Sequence, residues 1–523
     1  MNAWDPANNK NGINGEADWV LTNRDLKSKG LDKDLDRLGF LSDAAEAMGR
    51  RLTGLGLAVI FLGLCAAVAA TQVVSDDFSD IVILVSASAI GGYMALNIGA
   101  NDVANNVAPA VGARVITLGG ALVLAAICES AGALLAGGSV VTTVSSQILS
   151  PSDVPHNYVF MQAMLTAMAA AALWINFATV IGAPVSTTHS IIGGVVGAGI
   201  AASSFGAINW TTVSTIAASW VFTPVLGGII GAALIAFINA RVVYTANRIV
   251  AARFWLPILL GLMGATFTAF IMLKTSNRFF TAPGWVSPVL SVVIGLLIWS
   301  LYRRLVYAQT GAMEDSARAL RNLFAVPLMV TAGLLSFAHG ANDVANAIGP
   351  LAAIVLSLSS DFPDLVFWYL GSLNPVVPLW VSAVGAFGIS AGLLLFGRRL
   401  ITVVGKKVTK LNPVRAFCIT LATAATVLGA SALGLPVSST HIAVGALFGV
   451  GFYREWYRNR YYAENGVMKP RRFLKNREER RRRLLVRRAN LLTIVAAWAV
   501  TVPASAMLAA GLFHLLSLVM SVG

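Results

Sequence analysis

Two short polar strings recur in an otherwise apolar chain. The first reads Gly-Ala-Asn-Asp-Val-Ala-Asn at Gly99–Asn105 and again at Gly340–Asn346. The second reads Pro-Val-Ser-Thr-Thr-His at Pro184–His189 and Pro-Val-Ser-Ser-Thr-His at Pro436–His441. Each copy of the first carries one carboxylate, Asp102 or Asp343, among carboxamides: Asn101, Asn105 and Asn106 in one, Asn342 and Asn346 in the other. Carboxylate and carboxamide oxygens suit a small hard cation. A carboxylate inside a membrane span costs roughly 3 kcal/mol and normally faces a cavity or a partner. Gly99 and Gly340 permit a local break in a helix, and Pro109 and Pro350 limit regular helix beyond it. A broken span frees backbone carbonyls that can also ligate Na⁺. The plainer reading, a kinked helix with structural Asn–Asp hydrogen bonds, loses ground because the string occurs twice.

The second string supplies the opposite sign. Pro184 and Pro436 fit the first turn of a helix, where a missing N–H does no harm. The next turn offers Ser186, Thr187 and Thr188, or Ser438, Ser439 and Thr440. Hydroxyls and free N–H groups at a helix N-terminus make an anion site, although the same residues also serve as plain N-caps. No Arg or Lys lies in either string, and Arg114 is the basic residue nearest the first. An anion would be held by dipoles, hydroxyls and a co-bound cation. A dianion about 5 Å from one carboxylate is repelled by roughly 6 kcal/mol at an effective dielectric near 20. A cation or proton at Asp102 and Asp343 removes that repulsion, so anion binding should require cation binding.

The elements that position these residues are read from hydropathy. The chain has 523 residues, 57% hydrophobic and 12% charged, and a mean hydropathy of +0.73. Stretches of spanning length and apolarity run over Leu52–Ala70, Ile81–Leu96, Ile116–Leu135, Val159–Ile181, Thr212–Ile238, Trp255–Leu273 and Val286–Leu301. Others run over Leu323–Phe337, Val366–Phe396, Ala416–Leu433 and Ala489–Leu518. The expected fold is an all-α polytopic membrane protein of about 12 spans, which excludes a single soluble domain. The first apolar run follows a polar stretch, which argues against a cleaved signal peptide. Cys65, Cys128 and Cys418 lie in apolar spans and read as small core residues.

The net charge of +14 is uneven. Arg454–Arg488 holds fourteen basic and four acidic residues between two apolar stretches. That pattern reads as a loop beside anionic lipid headgroups and not as a nucleic-acid site. Basic loops belong in the cytoplasm: the region up to Arg51, Arg241–Arg253, Arg303–Arg321, Arg398–Arg415 and Arg454–Arg488. The Lys274–Val286 loop, with Lys274 and Arg278, is the weak member of the outer set. This places the N-terminus inside and the C-terminus outside, in a plasma or inner membrane.

On that map the two copies of each string lie on spans entered from opposite sides. Inverted repetition is a recurring architecture of secondary transporters. Its register is consistent: Pro109 matches Pro350, and Gly182, Gly193 and Gly197 match Gly434, Gly445 and Gly449. The chain divides into a polar cytoplasmic extension (1–51), an additional span and outer loop (52–80) and a first half (81–240). Connecting spans and a basic loop (241–322), a second half (323–453), a basic cytoplasmic loop (454–488) and a C-terminal span (489–523) follow. Glu129, within an apolar span, is either a proton carrier or supporting acid, or a carboxyl bonded to a neighbouring helix. His189 and His441, which close the hydroxyl strings, lean towards a packing role.

At these residues the sequence resembles the inorganic phosphate transporter (PiT) family. Its members carry a GANDVAN-like signature in each half and a PVSTTH-like signature after each. The resemblance runs from about Ile81 to the C-terminus. It implies an inverted-repeat fold with two re-entrant helical hairpins, and phosphate bound centrally between the halves. By carry-over, Asp102, Asn105, Asp343 and Asn346 match positions tied to cation and phosphate; the flanking Asn101 and Asn342 are further candidates for the cation. Ser186, Thr187, Thr188, Ser438, Ser439 and Thr440 match the hairpin-tip phosphate ligands. Glu129 matches an acid important in the first half. Many relatives carry a second such acid before the later hydroxyl string, where this chain has Thr420. The coupling ion is Na⁺ or H⁺, and the near-symmetric second string leans to sodium.

The resemblance implies import of inorganic phosphate by cation symport, with no cofactor, in a lipid bilayer, with a homodimer left open. The alternatives are a sulfate or other oxyanion permease of the same fold and a proton-coupled metal–phosphate symporter. Phosphate donates a hydrogen bond that sulfate at neutral pH cannot, so an acceptor such as Asp102 would favour phosphate. A membrane enzyme would need a nucleophile or metal cluster that the sequence does not present. No G-x-x-x-x-G-K-[ST] string supports ATP-driven transport. A receptor or structural membrane protein has no need of inverted polar strings.

Overall fold

Long apolar runs with few charges leave the backbone one economical choice in a bilayer, since every N–H and C=O must find its partner internally. The computed structural model is accordingly helical. It describes residues 52–72, 78–181, 185–275, 283–311, 313–360, 377–407, 412–464 and 489–522. The extension 1–51, Gly182 and Pro184 of the first hydroxyl string, residues 465–488 of the basic loop and the first part of the stretch Val366–Phe396 lie outside the described residues.

Helix α1 covers Leu52–Thr71. It is followed by α2 (Phe78–Gly112), α3 (Leu118–Ala136), the short α4 (Gly138–Thr142), α5 (Asn157–Ile181), α6 (Thr187–Ala202) and α7 (Trp210–Ile238). Then come α8 (Arg248–Thr275), α9 (Val286–Thr310), the short α10 (Ala317–Leu323) and α11 (Ala325–Ser360). The last four are α12 (Leu379–Lys407), α13 (Pro413–Ala432), α14 (Ser439–Glu464) and α15 (Ala489–Val522). Among the described residues eleven helices are long and apolar enough to cross a membrane, against the twelve or so expected. Helix α6 is too short to count as a span, and the second half of α14 is too charged.

Residues 58–523 form one compact unit. Within it α2 packs along α12 and α11, and α11 along α3. Helix α6 packs on α5 and α15, and α14 on α13 and α7. Helices α8 and α9 pair with each other. The two buried clusters are rich in Ala, Val, Ile and Leu; the alanines are small enough to let neighbouring helices approach closely.

One expectation needs correction. The Gly99 and Gly340 strings do not break their helices: α2 and α11 each run through glycine, Asp and the later proline without interruption. The glycines are there for contact. A Cβ on Gly99 would stand 1.8 Å from the Ile389 carbonyl oxygen, and one on Gly340 would stand 2.1 Å from that of Glu129. Any side chain there would push α2 off α12 or α11 off α3. The prolines retain a local effect. Pro109 and Pro350 have no N–H, so the carbonyls of Asn105 and Asn346, four residues earlier, lose their regular helical donor.

Candidate functional site

The hydroxyl strings start helices. Ser186 is the N-cap of α6 and accepts from the His189 N–H at 3.3 Å. Ser438 accepts from the His441 N–H at 3.4 Å at the start of α14. Both serines therefore have the capping role open to them from the sequence. The turn into α14 passes through Gly434 at φ +71°, a left-handed conformation that favours glycine. Two side chains from elsewhere hold this turn. Trp220 Nε1 of α7 donates to the Pro436 carbonyl at 3.1 Å, and Thr143 Oγ1 donates to the Gly434 carbonyl at 2.7 Å.

The two helix starts meet. Thr188 Oγ1 donates to the Val437 carbonyl at 3.1 Å. The rings of His189 and His441 stand edge to face with centroids 5.2 Å apart, and Trp220 lies 3.8 Å from His189. That geometry matches the packing role towards which these histidines lean. Two positive dipole ends, each equivalent to roughly half a charge, thus converge in the protein interior.

The carboxylates face the same place. Thr187 Oγ1 donates to Asp102 Oδ2 at 3.3 Å, and Ser439 Oγ donates to Asp343 Oδ2 at 3.1 Å. Thr187 and Ser439 hold the same position in their strings, so each acid is bound by the corresponding hydroxyl. The asparagines cross over. Asn105 Nδ2 donates to Thr440 Oγ1 at 2.8 Å, and Asn346 Nδ2 donates to Thr188 Oγ1 at 3.0 Å. Asn346 also reaches Thr187 Oγ1 at 3.4 Å. Asn342 is committed elsewhere: its amide donates to Ser431 Oγ and the Leu435 carbonyl, and its Oδ1 accepts from the Val437 N–H. It shapes the second turn. Asn101 is half-buried.

A residue that the sequence reading passes over joins the acids. His339 lies one turn before Asp343 on α11; its Nε2 is 2.9 Å from Asp343 Oδ2 and its Nδ1 is 3.1 Å from Glu129 Oε1. Glu129 Oε1 also accepts from Asn106 Nδ2 at 2.8 Å. Glu129 is thus a buried carboxyl bonded to neighbouring helices through both partners, one of the two roles the sequence leaves open to it. One buried chain of polar groups runs from Asn106 through Glu129, His339 and Asp343 to Ser439. The matching position in the first half is Ile98, so this feature has no repeat to reveal it.

Asp102, His339 and Asp343 each place a ligand atom within 4.8 Å of the other two, and all three are buried. Several acceptor oxygens here have no hydrogen-bond partner: Asp343 Oδ1, Glu129 Oε2, Asn106 Oδ1 and Asn346 Oδ1. Buried acceptors without donors are costly, and one of them, Asp343 Oδ1, belongs to the three-residue group that could hold a cation. The oxygen donors of Asp102, Asp343 and Asn346 fit a hard monovalent ion; the imidazole of His339 is a poor ligand for one and serves better as an orienting group. Thr420 shares a hydrogen bond with Thr331 at 2.9 Å in the packing of α13 on α11. Lys274, the basic residue that fits the expected outer set least well, donates to Ser139 Oγ at 2.7 Å and to the Ala432 carbonyl at 3.1 Å. Its charge is spent on the C-terminus of α13.

Comparison with known proteins covers most of the chain. The model of the phosphate transporter family matches residues 98–509. A Helicobacter pylori protein assigned as a phosphate permease is 44% identical over 401 residues, covering 77% of this chain and 74% of its own. The Arabidopsis thaliana chloroplastic inorganic phosphate transporter 2-1 is 34% identical over 445 residues, covering 80% of this chain and 70% of its own. A solved structure described as the sodium-dependent phosphate transporter is 34% identical, with a TM-score of 0.72 over 84% of this chain and 99% of that one.

Proposed function

The chain belongs to the phosphate transporter family, and from that premise we propose that it carries inorganic phosphate across a membrane in symport with sodium. The observation that carries the reading is the pairing of converging helix starts with two buried carboxylates. Thr187, Thr188, Ser439 and Thr440 sit at the positive ends of α6 and α14 and would hold the phosphate oxygens, with Ser186 and Ser438 shaping the ends. Asp102 and Asp343, helped by Asn105 and Asn346, would hold sodium. Two unit charges within 4.8 Å of each other repel by about 3 kcal/mol or more at an effective dielectric of 20. A cation between them relieves that repulsion and lets a phosphate anion approach. Sodium as the driving ion is supported by the likeness to the sodium-dependent phosphate transporter.

The halves are proposed to be related by inverted repetition, with α5–α6 and α13–α14 as re-entrant hairpins. Reciprocal packing supports this: α2 on α12 answers α11 on α3, and α6 on α15 answers α14 on α7. Alternating access would then rock one set of helices against the other around a midplane site. The basic loops and the N-terminus would face the cytoplasm, and the C-terminus the outside. A second reading, proton coupling, is favoured by the buried Glu129–His339–Asp343 array. Phosphate uptake into proteoliposomes, with sodium and proton gradients imposed separately, decides between them. Uptake that follows only the proton gradient replaces the sodium reading, and uptake indifferent to both removes symport.

A further inference from the structure

Four of the basic segments named above converge on one cavity. Its volume is about 800 Å³, and Arg248, Arg321, Arg415, Arg454 and Arg458 line it. They come from the start of α8, α10, the start of α13 and the second half of α14. All but Arg321 are half-buried or buried. Among the described residues Arg415 and Arg454 have no acidic partner. Burial and the neighbouring Arg415 and Arg458 act against the charge of Arg454, which Tyr244 favours, and burial and Arg321 act against that of Arg415. Asp315 accepts from the Arg248 backbone N–H at 3.2 Å. Tyr244 and Tyr457 stack on the wall with centroids 5.2 Å apart and planes 9° from parallel.

Like charges gathered in a partly enclosed hollow repel one another, and the arrangement is relieved when an anion enters. Guanidinium groups match phosphate oxygens in pairs. The volume lies in the range of small-molecule sites and exceeds what one orthophosphate fills. We propose that this cavity is a second anion site, separate from the carboxylate centre, that binds a molecule bearing several phosphate charges or a phospholipid headgroup. The shared chemistry is clustered phosphate oxygens; the source is soluble or lipid. The site makes no use of Asp102, Asp343 or the hydroxyl strings, so it stands whether or not the sodium reading does.

The test is binding to the full chain. Tripolyphosphate is titrated calorimetrically against protein in neutral detergent, and thermal melting is followed in nanodiscs of phosphatidylcholine with and without phosphatidylglycerol. The double substitution R415Q/R454Q is compared with R415K/R454K, and with R303Q/R304Q, which removes two exposed charges elsewhere. The single substitutions R415Q and R454Q serve if the double variant does not fold. A soluble occupant gives tripolyphosphate binding that R415Q/R454Q weakens at least tenfold and R415K/R454K weakens less, because lysine keeps the charge without the paired geometry, while R303Q/R304Q retains it. A lipid occupant gives a phosphatidylglycerol-dependent rise in melting temperature that R415Q/R454Q alone abolishes. Binding and melting that are the same in R415Q/R454Q as in the unaltered chain, or that fall equally in R303Q/R304Q, overturn the proposal.

Discussion

The amide of Asn105 holds the hydroxyl of Thr440 at 2.8 Å, although 335 residues separate them in the chain. The reciprocal contact, Asn346 to Thr188, spans 158 residues at 3.0 Å. Asp102 and Asp343 are each bonded to a hydroxyl of their own half, and Asn105 and Asn346 to one of the opposite half, so the hydroxyls are fixed from two directions. A hydrogen bond of this kind contributes about 1 kcal/mol. Asn105→Ala and Asn346→Ala should therefore each raise the KM for phosphate about fivefold in uptake assays. A double-mutant cycle of Asn105→Ala with Thr440→Val should return a coupling energy near 1 kcal/mol; strict additivity would show that the contact does not matter.

Asp102→Asn and Asp343→Asn keep shape and remove charge. Sodium-driven accumulation of phosphate in vesicles should fall at least a hundredfold in each, with normal amounts of inserted protein. Asp343→Asn should be the more damaging to stability, because Asp343 also faces His339. Undiminished accumulation in both variants would remove the carboxylates from the mechanism.

His339 bridges Glu129 and Asp343 in the interior. Removing one member of a buried charged set costs about 3 kcal/mol or more, because the others lose a partner without regaining water. His339→Ala should lower the melting temperature of the detergent-solubilised protein well below that of Glu129→Gln. The carboxamide introduced by Glu129→Gln would still offer an acceptor oxygen to Asn106, which now donates to the Glu129 carboxylate. Equal melting of His339→Ala and the unaltered protein would mean that the bridge carries no stability.

Helix contacts on either side of the site depend on absent side chains. A Cβ on Gly449 would lie 1.9 Å from the Gly228 carbonyl oxygen, whereas nothing lies within 4 Å of one on Gly429. Gly449→Ala should destabilise by about 1–3 kcal/mol through overpacking, and Gly429→Ala should be neutral or slightly stabilising. Thermal melts of the two variants, each with its expression level, check this directly.

Much of the centre is legible in the sequence because it occurs twice. Asp102 and Asp343 stand out as charges in apolar helices, and Thr187 and Ser439 as hydroxyls after a proline. A repeated polar string in a bilayer needs a reason, and the reason is a shared interior. His339 is hidden because its counterpart is Ile98, so repetition does not flag it; the spacing of four residues to Asp343 is the available signal. The continuity of α2 and α11 is easily misread because glycine in a string suggests freedom, whereas Gly99 and Gly340 answer to helices packed against them. The crosswise asparagine contacts depend on how the two halves interlock, which no local pattern encodes. Lys274 is a topological exception by charge alone, and its amine proves to cap α13.

The central claim is that phosphate is held at the helix starts on condition that a cation occupies the carboxylates. Equilibrium binding of radiolabelled phosphate to the purified protein, titrated with sodium at constant ionic strength, tests it without any vesicle. The phosphate Kd should fall at least tenfold as sodium rises. The double variant Asp102→Asn/Asp343→Asn should bind phosphate with an affinity that no longer depends on sodium. A phosphate Kd in the unaltered protein that stays constant across sodium concentration and pH would contradict the account.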